Sequence, residues 1–242
     1  MISILNWNVC ALPKYFNFFG DPKKRINHIL EEILKYDCDI ICLQEVFDIN
    51  IRNYLIINLK NYNCIYSNNK SLIKINGGLF IATKYDILNY YEYNFKKTSG
   101  EDYLSNKGIL SCNIQIENKI ITIFNTHFNA NAIFSTKYKC ELIRNEQLNE
   151  LFNIIDINTK YKILCCDINI DYNSEQYNYL LDKLQTNKFN INHMNFITFP
   201  STQKQYDYCF CSNNLDNNVY MYNNNLSDHN LLVINIKFKY AK

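Results

Sequence analysis

Lys162 to Asp171 reads KILCCDINID. Ile163 to Cys166 is a short apolar run rich in strand formers, the pattern of a strand covered on both faces. It stops at Asp167-Ile168-Asn169, so a carboxylate and a carboxamide emerge where a buried strand meets the edge of its sheet. Open α/β sheets place their chemistry at such an edge. Taken alone, the segment is better explained by an Asx turn opened by Asp167 and followed by Asn169. Four other apolar runs that end in the same way tip the balance towards chemistry.

Upstream, Ile2 to Asn6 reads as a first strand continuing through Trp7 into Asn8. Asp21 before Pro22 is a helix start signal, and Ile26, Ile29, Leu30 and Ile33 mark one helical face reaching about Tyr36. Ile40 to Leu43 is a second buried strand, ending in Gln44-Glu45. Asp48 caps a second helix with Ile51, Tyr54 and Leu55 inward. Gly77-Gly78 precedes a strand from Leu79 to Ala82. Ile109 to Ile116 and Lys119 to Thr126 pair as a hairpin across Glu117-Asn118, and the second arm delivers His127 and Asn129. A third helix, roughly Glu141 to Ile157, turns Leu148, Leu151, Phe152 and Ile155 inward.

Downstream, Ser174 caps a fourth helix with Tyr177, Leu180, Leu181 and Leu184 inward. Tyr208 to Cys211, Val219 to Tyr222 and Leu231 to Phe238 complete the chain as strands, and the last alternates Leu232, Ile234, Ile236 and Phe238 with Leu231, Val233, Asn235 and Lys237. No linker, repeat or low-complexity boundary interrupts this order, so residues 1–242 read as a single domain. Hairpins mixed with strand-helix units imply an α/β fold with a mixed sheet, or two packed sheets with helices outside.

With 48% hydrophobic and 20% charged residues the chain is globular, and a net charge of +2 gives no strong field to draw in nucleic acid. Several of the ten cysteines lie inside apolar runs, and none forms a Cys-x-x-Cys pair with zinc spacing. Neighbouring strand residues face opposite ways, so Cys165 and Cys166 read as small core residues. Reduced thiols, and an N-terminal MISILNWNV with neither basic leader nor cleavage site, predict a cytoplasmic protein. No stretch approaches the ~18 apolar residues of a membrane-spanning helix. Asn, Ile, Lys and Tyr are heavily used throughout, so Asn-rich patches and the 20 tyrosines carry little functional weight.

Collected, the strand ends present Asn8, Glu45, His127 with Asn129, Asp167 with Asn169, Asp207, and Asp228 with His229. Each has an ordinary explanation as a cap, a solvated end or a hydrogen-bonded histidine. Their coincidence does not. Glu45, Asn8 and nearby carboxylates make an all-oxygen site suited to Mg²⁺ or Mn²⁺ rather than zinc. A histidine beside an aspartate supplies a base that works near neutral pH. A metal, a base and several donors around one point are what phosphoester hydrolysis needs.

NWNV, LQEVF, NTHFNA, CCDINID, QYDYCF and SDHNLL, in this order, resemble the endonuclease/exonuclease/phosphatase superfamily over about Ile2 to Ile236. The resemblance implies a DNase-like, four-layer α/β/β/α sandwich of two packed mixed sheets with the site at one rim. It implies that Glu45 and Asn8 hold Mg²⁺, with Asn8 also near the phosphate, and that His127 and Asn169 contact phosphoryl oxygens. Asp167 would orient the attacking water or aid the leaving group. Asp207 would orient His229, the general base, with Asp228 beside the metal or the histidine. Lys107 and Asn129 would face the substrate.

VCALPKYFNFFGDPKKR after Asn8, SNKGILSCNI with Lys107 and Gly108, and LIRNEQLNEL with Arg144 and Gln147 resemble the neutral sphingomyelinase branch. A phospholipid phosphodiester is therefore the expected substrate, nucleic acid the alternative, and an inactive binding protein of the same fold the second alternative. The chain is expected to act as a monomer, in contact with a membrane surface. Phe16, Phe18 and Phe19, between Lys14 and the trio Lys23, Lys24 and Arg25, have the composition of an interfacial anchor.

Overall fold

A computed structural model describes residues 1–12, 20–69, 74–131, 133–155, 159–172, 174–191 and 195–239. Over them the order is β1 (Ile2–Ala11), α1 (Pro22–Lys35), β2 (Ile40–Val46), α2 (Ile49–Asn58), β3 (Asn63–Tyr66), β4 (Phe80–Thr83), β5 (Ile87–Asn94), β6 (Gly108–Ile116) and β7 (Lys119–His127). Then follow α3 (Lys137–Ile154), β8 (Tyr161–Asp167), α4 (Glu175–Thr186), β9 (Asp207–Cys211), β10 (Leu215–Tyr222) and β11 (Leu231–Phe238). The expected anchor, residues 14–19, lies outside the described residues.

The helices start where their caps stand. Asp21 accepts from the Lys23 amide ahead of Pro22, Asp48 from the amides of Asn50 and Ile51, and Ser174 from that of Tyr177. α3 begins four residues earlier than its apolar spacing suggested, because Thr136 accepts from the Lys139 amide and caps it there. Two strands have no clear signal in the sequence. β3 is only four residues long, and β5, ILNYYEYN, is exposed or half-buried throughout, so neither shows a clean alternation.

β10-β11-β1-β2-β4-β3 make a six-stranded sheet and β5-β6-β7-β8-β9 a five-stranded one. Each contains one parallel pair, β1/β2 and β7/β8, joined through α1 and α3 respectively; the other pairings are antiparallel. Side-chain alternation then sorts the core into three layers. Leu232, Ile234 and Ile236 meet Ile4, Ile114, Ile123 and Ile163 between the sheets. On the outer face of the six-stranded sheet, Leu231 and Val233 join Leu5 and Trp7 beneath Ile29, Ile33, Ile51 and Leu55 of α1 and α2. On the other outer face, Leu148, Leu151, Leu180 and Leu184 of α3 and α4 cover Phe124, Leu164 and Phe210. This is the four-layer α/β/β/α sandwich. Cys165 enters the middle layer and Cys166 the outer one, as opposite-facing core residues. No helix among the described residues is long and apolar enough to cross a membrane.

Gly78, just before β4, needs its hydrogen. Its φ is +70°, and a Cβ there would lie 2.7 Å from the Phe47 ring. Its carbonyl accepts from the Val46 amide at 2.8 Å, fixing the end of β2 next to Glu45.

Candidate active site at the sheet rim

Register alone lines up one half of the site. β7 and β8 pair His127 with Asp167, and β8 and β9 pair Asp167 with Asp207, so three buried side chains stand abreast at one edge. His229, just before β11, reaches this row from the other sheet. Its Nδ1 lies 2.8 Å from Asp207 Oδ2 and its Nε2 3.8 Å from Asp167 Oδ2. The histidine is held from every side. Its amide donates to Ser227 Oγ at 3.2 Å, its carbonyl accepts from Trp7 Nε1 at 2.9 Å, and the Phe199 ring packs 4.8 Å away.

The other half comes from β1 and β2, where Asn8 pairs with Gln44 and the register then shifts before Ala11. Cys10 (φ +48°) and Glu45 (φ +60°) take left-handed backbone there, which turns the strand ends and leaves the Glu45 carboxylate half-buried at the rim. Asn8 Nδ2 donates to Asp167 Oδ2 at 2.9 Å and joins the halves. Asn8 Oδ1 accepts from the Cys10 amide at 3.0 Å, which leaves a second lone pair free. Glu45 Oε1 lies 3.8 Å from His127 Nε2, and Ser227 Oγ donates to Asn8 O at 2.7 Å.

The charges are unbalanced. Burial, then Asp228, pushes the Glu45 carboxyl up to about 7, and burial, then Asp207, pushes Asp167 up to about 6. Burial alone would lower His229, but Asp207 and Asp167 outweigh it and hold the imidazolium to about 10. His127 falls well below its usual range through burial, then Lys107 and His229, so it is neutral. Carboxylates crowded until their ionisation is suppressed are a donor set that a hard cation would relieve, and the residues fit one. One donor atom from each of Asp167, Asp207 and His229 lies within 4.8 Å of the others. Asp207 and His229 already bond to each other, so a cation between them would compete with that bond. Glu45 and Asp228, close enough for the second to raise the proton affinity of the first, offer oxygens beside Asn8 that are not tied to the histidine.

Asn169 (φ +52°) sits at the same rim, and the ordinary explanation of KILCCDINID also holds: its amide donates to Asp167 Oδ1 at 3.2 Å, an Asx turn. Asp167 does both, turning the chain with Oδ1 and facing the site with Oδ2. Two expected substrate contacts are otherwise engaged. Lys107 Nζ reaches Asp102 Oδ1 (2.8 Å), Phe128 O (2.9 Å) and His127 Nε2 (3.0 Å), which occupies its three hydrogens. An ammonium only donates, so Nε2 of neutral His127 accepts and its proton sits on Nδ1. Asn129 Oδ1 accepts from the Ser99 amide (2.7 Å), and its Nδ2 serves Ser99 Oγ and Ala130 O. Both residues brace the site from behind.

Beneath the rim lies a feature that the sequence reading missed. Gln44 Nε2 donates to Asn6 Oδ1 (2.8 Å) and Asn125 Oδ1 (2.7 Å). Asn6 Nδ2 reaches Tyr208 O across the sheets, and Asn125 Nδ2 returns to Leu43 O and Phe80 O. The only available signal was a carboxamide inside each of three apolar strands. Beside Asn169 a cavity of about 600 Å³ opens between α3 and α4, with Asn131, Arg144, Lys204 and Tyr206 on its walls.

A family model described as "Endonuclease/Exonuclease/phosphatase family" matches residues 5–229. A sphingomyelinase C of Bacillus cereus is 29% identical over 116 residues, 46% of this chain and 35% of that protein, so the match spans about a third of the relative's length. Beta toxin from Staphylococcus aureus, solved as a double mutant with bound magnesium ions, superposes with a TM-score of 0.81 at 18% identity, over 96% of this chain and 98% of that one. Sphingomyelinase C from Streptomyces griseocarneus gives 0.79 at 15% identity, over the same shares. These two likenesses show the fold. With the family model spanning nearly all of the sandwich and every rim residue from Asn8 to His229, the chain belongs to the endonuclease/exonuclease/phosphatase family.

Proposed function

We propose that the chain is a divalent-metal-dependent phosphodiesterase, a single-domain monomer, that hydrolyses sphingomyelin to ceramide and phosphocholine by water attack. One observation carries the chemistry: the His229–Asp207 pair, 2.8 Å apart, faces Asp167 beside the carboxylates of Glu45 and Asp228. The sphingomyelinases among its likenesses, and the segments around Lys107 and Arg144, support the lipid substrate. The ten cysteines are free thiols, nine of them buried, which fits a reducing compartment, and we place the protein in the cytoplasm.

Glu45, Asn8 and Asp228 would hold Mg²⁺, with Mn²⁺ the other candidate. Bound there, the cation would neutralise charge on the phosphoryl oxygens, and as a nearby positive charge it would lower the proton affinity of His229. His229 then accepts the water proton at Nε2, while Asp207 keeps Nδ1–H in place and stabilises the imidazolium that forms. Asp167, half of whose carboxyl is tied into the turn, presents Oδ2 to the water or to the departing oxygen. Asn169, at the mouth of the cavity, positions the phosphoryl group.

The test is one preparation assayed in parallel, with Mg²⁺ or with EDTA, on sphingomyelin in detergent micelles, abasic-site DNA and a soluble inositol phosphate. Mg²⁺-dependent phosphocholine release is expected. Cleavage of DNA alone would overturn the substrate, and turnover undiminished in EDTA would overturn the metal.

A further inference from the structure

Between β7 and α3 the chain carries two adjacent apolar residues that no described residue covers. Ile133 and Phe134 are 81% and 82% exposed, the highest values of any large hydrophobic side chain among the described residues. Tyr138 and Leu142, one and two turns along α3, and Tyr103 and Leu104 are exposed as well. The tip is tied to the 3-10 turn Gly100–Leu104: the Ile133 amide donates to Glu101 Oε1 at 3.1 Å, and the Ala130 amide to Asp102 Oδ2 at 2.7 Å. Adjacent apolar residues held in water by a fixed loop mark an interaction surface.

The surroundings say what kind. A groove of about 370 Å³ runs alongside, with Lys74, Lys96, Lys97 and Lys139 on its walls together with Tyr103 and Leu142. Lys97 pairs with Glu146 at 2.9 Å, Lys74 lies 4.9 Å over the Tyr103 ring, and Lys96 and Lys139 make no ion pair among the described residues. Counting Lys137 with its partner Glu141 and Lys107 with its partner Asp102, six lysines stand against five acids (Glu101, Asp102, Glu141, Glu146 and Glu150). The two lysines without an ion pair among the described residues, Lys96 and Lys139, lie in the groove itself. Apolar side chains at a tip with cations behind them suit a plane whose interior is apolar and whose surface is anionic.

We propose that Ile133 and Phe134 dock the protein on an anionic lipid bilayer, entering the boundary between headgroups and acyl chains while Lys96, Lys97 and Lys139 meet the headgroups. This rests on the reading of the site as one that takes a lipid phosphodiester, and the face is well placed for it. Asn131, two residues before Ile133, forms part of the wall of the cavity that opens beside Asn169. The segment that enters the lipid is thus continuous with the segment that lines the way to the site.

The probe is sedimentation with vesicles that contain no sphingomyelin, so that docking is read apart from turnover. The wild-type chain should partition onto phosphatidylcholine vesicles containing phosphatidylglycerol, more weakly onto phosphatidylcholine alone, and less as salt is raised. Ile133→Ser/Phe134→Ser should lower the partition about tenfold or more, with the melting temperature and the hydrolysis of a soluble phosphodiester unchanged. Lys139→Glu should remove mainly the preference for anionic vesicles. Phe134→Trp gives a direct readout, because Trp7, the chain's one native tryptophan, is fully buried and its emission should not respond to vesicles: the emission of the introduced tryptophan should shift to the blue on adding anionic vesicles. No sedimentation of the wild type, equal binding by the double variant, or an unmoved emission would each overturn the docking face; retention only on beads bearing acidic peptide would reassign it to a protein partner. Vesicle binding without sphingomyelin turnover in micelles would leave the docking face standing and remove the substrate.

Discussion

The two parallel strand pairs reach the same rim by the same strand-helix-strand route and arrive differently. β7 and β8 arrive in register, with His127 beside Asp167 and Asp207 beyond, and each of these side chains meets a protein partner. β1 and β2 arrive broken, with left-handed Cys10 and Glu45 and a register shift after Asn8. An unbroken ladder fixes where a side chain points, which suits groups that must hold or move a proton. A broken strand end re-aims its side chain at a local cost of order 1 kcal/mol and leaves oxygens for something else to bind. Orientation comes from the β7–β9 ladder, which fixes His229 across the rim through Asp207, and ligand capacity from the broken ends of β1 and β2.

The sharpest test of that division is on His229, which comes from the other sheet and is oriented by Asp207 of the ladder. His229→Ala should lower kcat by ~10³, within the ~10²–10⁴ attributed to a positioned acid-base group. Asp207→Asn keeps the volume and should cost about tenfold to a hundredfold while shifting the pH profile, since it acts through His229. A chain whose turnover still depends on Glu45 but ignores His229→Ala would move the proton to Asp167 and break the assignment.

How much of this was legible depended on whether a residue's surroundings lie along the chain. Strand ends are local, so Glu45, His127, Asp167, Asp207 and Asp228-His229 could be collected from the apolar runs that they follow or precede. The caps at Asp21, Asp48 and Ser174 were legible for the same reason. What side chains do across the sandwich is not local. Lys107 looked like a substrate contact, yet all three of its hydrogens are directed to Asp102, Phe128 and His127. β5 carries too little buried surface for a period-two pattern. The Asn6–Gln44–Asn125 lattice needed two sheets to be brought together before it meant anything.

That lattice makes the next prediction. Asn125→Ala would leave Leu43 O and Phe80 O buried without their donor and Gln44 Nε2 short of an acceptor. About 2–3 kcal/mol should be lost, lowering the melting temperature by roughly 4–12 °C for a chain of this size. Asn125→Asp, which keeps the acceptor but not the donor, should be no better. A variant that melts with the wild type would show that the sheets are held by their apolar layer alone.

On the broken side the sign reverses. The folded Glu45 carboxyl titrates near 7, above its ordinary 4.5, so folding opposes its ionisation. Below pH 4.5 both states are protonated and there is no penalty; as pH rises towards 7 the unfolded chain ionises first and stability falls; above about 7 the loss is constant. Without metal, Glu45→Gln should therefore be more stable than wild type at pH 8, by on the order of 1–3 kcal/mol, and no more stable at pH 4.5. It should also lose the rise in melting temperature that Mg²⁺ gives the wild type, together with activity. A variant less stable than wild type at pH 8 in EDTA would make Glu45 a structural anchor, and the two sides of the rim would no longer differ.

Asn169 tests the comparison where it is weakest, because this residue has the left-handed backbone of one side and stands on the other. Its φ of +52° costs an asparagine under about 1 kcal/mol, and glycine would remove that cost. Asn169→Gly also removes the Nδ2 bond to Phe128 O at 3.2 Å, worth about 1 kcal/mol. The two nearly cancel, so the melting temperature should move by no more than about 4 °C. Asn169→Ala keeps the unfavourable backbone and loses the same bond, and should melt below the glycine variant. Turnover should fall about tenfold or more in both, as for loss of a group that contacts a phosphoryl oxygen. If activity instead follows stability, with glycine near wild type and alanine well below, the carboxamide only shapes the turn. Asp167 Oδ2 would then face the substrate without help from its own loop.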